Sequence, residues 1–340
     1  MFMRRTFAVG SRRVHQPQRI AHCVVAPRPF TASSSRFSPR LTSEQLVERR
    51  AARNAVRLAA HGKETSAGST LYIEGSVRYY TRHCVIVEPQ HTDSKSWPAK
   101  LEHTPGHALS LYRDALVALY GGDVVKVRKS PLLVTAAIPY MDTCSAFRLQ
   151  EEEEEEEGKT RVDRAEKGTH DVLVFPDAVR VHDVDPVQIP LLVRGALETA
   201  SNLSALLRRE KMRYADMEKG YHVMVCGHAA RDVRCGCKGP ELLQWLKATA
   251  SRDDKPLHLW LSSHMGGHRF AATCVAYPTG DWFGLLNDQD RASDVLEAVT
   301  NEDPLRVYKL WRGRMGLTPH DMHRAVTERV EQCEDGARAA

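Results

Sequence analysis

No stretch of this 340-residue chain approaches the apolar length that spans a bilayer, so no membrane-spanning helix is expected. A phosphate-cradling G-x-x-x-x-G-K loop and a G-x-G-x-x-G fingerprint are both missing. The pair Gly121-Gly122 follows a helical pattern and cannot serve as either. Ser, His and Asp are scattered without the spacing of a hydrolase motif. No repeat of solenoid period is visible. Residues 1–43 contain no Lys and no acid, only arginines, among them Arg4, Arg5, Arg12 and Arg13. Beyond that segment 40 basic side chains face 43 acidic ones, so the overall charge of +5 is concentrated at the N-terminus. The remainder carries no basic face of the kind nucleic acid requires.

The same segment lacks the continuous apolar core of a secretory signal. Its Arg-rich, acid-free, serine-containing composition is that of a mitochondrial transit peptide, and a mitochondrial location is expected. Without a secretory signal, the eight cysteines argue against a disulfide scaffold and for metal or thiol chemistry. A helix and linker are expected over 44–68, where a capping box opens an Ala- and Arg-rich run. A first domain follows over 69–186, with strands at 84–87, 124–127, 132–136 and 171–175 and a helix at 107–120. An acidic insert at 148–168 interrupts it; seven consecutive glutamates repel one another and bury nothing. A connecting helix is expected within 187–218 and a second domain over 219–335.

The chain is organised around residues 221–268. An apolar run ends in Cys226, a polar loop carries Cys235 and Cys237, and Gly239-Pro240 is expected to open a helix over 241–249. A second β-type run over 258–262 leads to His264, a Gly-Gly turn and His268; strands at 269–276 and 281–286 follow. The order β-α-β-β-β-α is that of a thioredoxin-like layer. Cys226 and Cys235 lack the tight C-x-x-C spacing of a zinc ribbon or a thioredoxin active site. Two thiolates and two imidazoles on loops leaving neighbouring strands suit one zinc ion or the two irons of an iron–sulfur cluster.

The segment Cys226-Gly227-His228-Ala229-Ala230-Arg231-Asp232-Val233-Arg234-Cys235-Gly236 and the segment His264-Met265-Gly266-Gly267-His268 resemble signatures of the sucrase/ferredoxin-like family. The resemblance extends to Tyr277-Pro278-Thr279-Gly280-Asp281-Trp282 and Leu310-Trp311-Arg312-Gly313, and more weakly to Trp97-Pro98-Ala99-Lys100. It implies an α/β protein of two thioredoxin-like layers, the second a thioredoxin-like ferredoxin domain. It further implies a [2Fe–2S] cluster with Cys226 and Cys235 on one iron and His264 and His268 on the other. Function would then be one-electron transfer to a redox protein partner, not turnover of a separate substrate. Two departures from the family pattern are the glutamate insert and Cys237. Alternatives are a zinc-stabilised Cys2His2 interaction module, and a thiol oxidoreductase that uses Cys226, Cys235 or Cys237, the last near an expected helix start.

Overall fold

The structure, a computed structural model, describes residues 73–142 except His91, 168–198, 203–250 and 256–339. The Arg-rich leader, the segment 44–68 and all but the last residue of the acidic insert lie outside them.

Strand β1 (Arg82–Val87) alternates its side chains between two apolar layers, as a strand of period two must. Cys84 and Ile86 face one cluster; Val85 joins the other. Burial on both faces explains why it reads as a continuous β-branched run. It pairs in parallel with β2 (Leu132–Asp142) and antiparallel with β3 (His170–Phe175), which continues to β4 (Val179–Val184) and β5 (Tyr214–Asp216). The second half repeats this plan. Strand β6 (Tyr221–Cys226) pairs in parallel with β7 (Leu257–Ser262) and antiparallel with β8 (Cys274–Tyr277), followed by β9 (Asp281–Phe283) and β10 (Trp311–Arg314).

The order β2-β1-β3-β4 thus recurs as β7-β6-β8-β9, two thioredoxin-like layers. Antiparallel pairing of β2 with β7 fuses them into one ten-stranded sheet. Helices α1 (Ala108–Leu119), α3 (Ile189–Leu197) and α4 (Leu203–Arg209) pack Leu109, Tyr112, Leu192 and Leu207 onto the first half. Helices α5 (Val233–Ala250), α6 (Gln289–Thr300) and α7 (Pro319–Ala339) bring Leu242, Leu246, Val295 and Met322 to the other cluster. No helix among the described residues is long and apolar enough to cross a membrane.

Several expectations from the sequence change. The β-branched run at 124–127 is not a strand but helix α2 (Val124–Arg128). Asp123 decides this, its Oδ1 accepting from the N–H groups of Val125 (2.9 Å) and Lys126 (3.1 Å). The described residues of the connecting segment form two helices and an edge strand, with Leu192, Leu203 and Leu207 in the same cluster as Cys84 and Ile86. The strand expected at 269–276 begins only at Cys274, after a 3₁₀ turn His268–Phe270.

Candidate metal centre

Strands β6 and β7 run in parallel, so both deliver their ends to the same sheet edge: Cys226 ends β6, and Ser262 ends β7 two residues before His264. The Gly227 N–H donates to the Ser262 carbonyl (3.0 Å) and holds the two exits together. Helix α5 begins at Val233, eight residues before the expected start. Asp232 caps it, with Oδ1 accepting from the Arg234 N–H at 3.0 Å. Cys235 therefore sits on the first helical turn instead of a loop, and Gly239-Pro240 lies inside the helix. The close approach of α5 to the end of β6 accounts for this: a Cβ on Gly239 would stand 2.3 Å from the Cys226 carbonyl oxygen.

The result is a cluster in which ligand atoms of Cys226, Cys235 and His264 all lie within 4.8 Å of one another. Both cysteines are buried, and His264 is partly so. The His264 Nδ1 is a buried nitrogen with no hydrogen-bond partner among the described residues, a vacancy in polar pairing that a metal would fill. His268 does not join this set. Its ring centroid is 5.4 Å from that of His264, its side chain is 47% exposed, and its Nε2 lies 3.9 Å from Asp232 Oδ2. Cys237 is exposed. Two residues apart on a helix means about 200° of rotation, so Cys235 and Cys237 face opposite ways.

The electrostatics favour negative charge on sulfur. A hydrogen bond from Cys235, with help from His264, holds the Cys226 thiol well below its ordinary range despite burial. The partner in that bond, Cys235, is pushed up in turn. The position of Cys235 at the amino end of an 18-residue helix adds the favourable end of its dipole. Soft sulfur beside imidazole is a donor set for iron–sulfur or zinc chemistry, so the residues present fit the implied group.

Two residues that frame this centre were given no role on sequence grounds. His228 is 2% exposed. Its Nδ1 accepts from the His264 N–H (3.2 Å), and its Nε2 lies 3.0 Å from the Pro98 carbonyl, under the edge of the Trp97 ring. Arg312, also buried, places its guanidinium over the rings of Phe270 and Trp282. Both residues lie inside the short motifs that carry the resemblance; residue type alone did not say that they are interior.

The sucrase/ferredoxin-like family profile matches residues 73–313, spanning both halves of the sheet. This chain belongs to the sucrase/ferredoxin-like family. Relatives include the altered inheritance of mitochondria protein 32 of Debaryomyces hansenii. It is 22% identical over 244 residues, covering 69% of this chain and 82% of that protein. The protein of the same name in Clavispora lusitaniae is 25% identical, covering 43% of this chain and 59% of its own length. That of Candida glabrata is 35% identical over 131 residues, or 33% of this chain and 41% of the relative. Among solved structures, a thioredoxin-like [2Fe–2S] ferredoxin from Aquifex aeolicus matches at 20% identity with a TM-score of 0.24. That match covers 30% of this chain and 97% of the other.

Proposed function

We propose that this protein is a mitochondrial electron-transfer protein whose second half holds a [2Fe–2S] cluster on Cys226, Cys235, His264 and His268. The observation that carries the reading is the convergence of ligand atoms of the buried Cys226 and Cys235 and of His264, all within 4.8 Å of one another. His268 stands beside His264 on the same glycine-containing loop, with ring centroids 5.4 Å apart, and would be the fourth ligand. A cluster bound there supplies one-electron chemistry, and neutral imidazoles in place of two thiolates put such centres at roughly −150 to +300 mV, against about −400 mV for plant-type ferredoxins. The chain's own contribution is to bury the sulfurs, to aim His264 from below through His228, and to leave the His268 edge open to a redox partner. The mitochondrial assignment draws support from the composition of residues 1–43 and from the names of the relatives.

A second reading, a single zinc ion, is favoured by one feature: three ligand atoms within 4.8 Å of one another suit one ion, with His268 set apart. Anaerobic purification decides between them. Two irons and two acid-labile sulfides per chain, with visible absorption, are expected. His264→Ala and His268→Ala should each bleach or alter the spectrum. A colourless, zinc-loaded protein would replace the cluster by the second reading, and an unchanged spectrum in His268→Ala would remove that ligand.

A further inference from the structure

We propose that Arg312 is a fixed cation held against the loop that carries His264 and His268 and raises the affinity of the centre for an electron; this rests on the function proposed above. The guanidinium is 2% exposed on β10, and its polar partners among the described residues are all neutral. Its Nε donates to Ser76 Oγ (3.1 Å) and its Nη1 to the Gly266 carbonyl (3.5 Å), while the faces of Phe270 and Trp282 lie beneath it at 5.3 and 5.4 Å. A buried cation without an anion is strongly unfavourable. Here burial brings Arg312 down only to about 10, so it keeps its charge at neutral pH.

The groups that attract it are Cys226, Cys274 and Cys235, while Arg269 repels it. Cys274 stays a neutral thiol, because burial pushes it up to about 12. Geometry ties the cation to the site through the loop that carries His264 and His268, whose Gly266 carbonyl accepts from the guanidinium.

The space for this cation is built. A Cβ on Gly267 would lie 2.1 Å from Arg312 Nη2, and one on Gly284 would lie 2.8 Å from its Cδ. Gly267 also has a left-handed φ of +80°, so bare backbone is required there twice over. Gly266 and Gly267 separate His264 from His268, so the guanidinium sits directly against the loop that carries both imidazoles. A positive charge in this low-dielectric surrounding stabilises an added electron more than it would in water.

The test compares midpoint potentials of anaerobically prepared full-length wild type, Arg312→Gln and Arg312→Lys, each checked for iron, sulfide and its paramagnetic resonance spectrum. Arg312→Gln is expected to lower the potential by at least about 59 mV, a tenfold change in the one-electron equilibrium. Arg312→Lys, which keeps the charge, should lose less than half of that. If Arg312→Gln fails to load while Arg312→Lys loads normally, the requirement for charge stands. A loaded Arg312→Gln at the wild-type potential overturns the inference. Failure of both variants to load overturns it as well, since the fork holding the Gly266 loop would then be the whole role. An iron-free wild type overturns the functional reading itself, and with it this inference.

Discussion

The backbone N–H of His264 donates to Nδ1 of the buried His228 at 3.2 Å. An accepting Nδ1 puts the ring proton of neutral His228 on Nε2, where it donates to the Pro98 carbonyl at 3.0 Å. One imidazole thus connects a proposed ligand in the second half to the Trp97-Pro98 segment in the first. Its removal leaves the His264 amide and the Pro98 carbonyl without these partners. His228→Ala should therefore lose about 1–3 kcal/mol of stability, measured by urea unfolding. A loss below about 0.5 kcal/mol, typical of surface positions, would show that water replaces the ring without cost.

Gly239 offers a test of why α5 lies where it does. In an unconstrained helix interior, Gly→Ala is stabilising by about 1 kcal/mol. Here the added methyl would meet the Cys226 carbonyl oxygen at 2.3 Å and the Gly227 Cα at 2.9 Å, both backbone atoms that cannot rotate away. Gly239→Ala is expected to destabilise by about 1–3 kcal/mol and to disturb metal loading. Chemical denaturation together with metal content checks both; a stabilised variant would refute the close approach.

His83 sets a pH dependence. It is wholly buried at the centre of the sheet, with Nδ1 2.6 Å from the Tyr277 hydroxyl and Nε2 2.8 Å from Thr135 Oγ1. Burial lowers it to about 3. Between its ordinary value near 6.5 and about 3, the unfolded chain binds a proton that the folded chain refuses, so stability rises with pH across that window. Conversely, stability falls on acidification from about 6.5, with a slope from this residue of up to about 1.4 kcal/mol per pH unit. Unfolding free energies of wild type and His83→Gln from pH 4 to 7 should differ in slope by about one proton. Parallel curves would place the acid sensitivity elsewhere.

Asp281 closes the far edge of the sheet. Its Oδ1 accepts from Trp311 Nε1 and Arg314 Nε, both at 2.8 Å, and its Oδ2 accepts from Arg314 Nη2 at 3.1 Å. The residue is 1% exposed. Asp281→Ala strands a buried indole N–H and part of a guanidinium, with an expected loss of about 3–5 kcal/mol. Differential scanning calorimetry gives the answer, and a loss under 1 kcal/mol would mean that solvent reaches the pair.

The second half was more legible in the sequence than the first because its strands are short apolar runs bounded by Cys, Gly and Pro. The runs expected at 222–226 and 258–262 fall within β6 and β7. Errors came where a single polar cap outweighs local propensity. Asp123 turns Val124–Arg128 into a helix, and Asp232 starts α5 before a Gly-Pro pair that reads as a helix opening. Of the four residues singled out in the sequence, Cys226, Cys235 and His264 bring ligand atoms within 4.8 Å of one another, while the His268 ring stands off by a distance that spacing cannot reveal. Arg312 escaped notice because a cation on a short, glycine-containing strand reads as solvent-facing. Only the placement of Phe270 and Trp282 beneath it makes it interior.

The junction between β2 and β7 has a consequence for how the molecule comes apart. Their ladder runs from Ala137 opposite Ser262 to Asp142 opposite His258, in the middle of the ten-stranded sheet. Severing the second half from the first would bare a full row of amide and carbonyl groups along β7, an adhesive border for any other extended chain. The first half therefore acts as a permanent cover strip, and isolated C-terminal fragments should self-associate through that border instead of remaining monomeric.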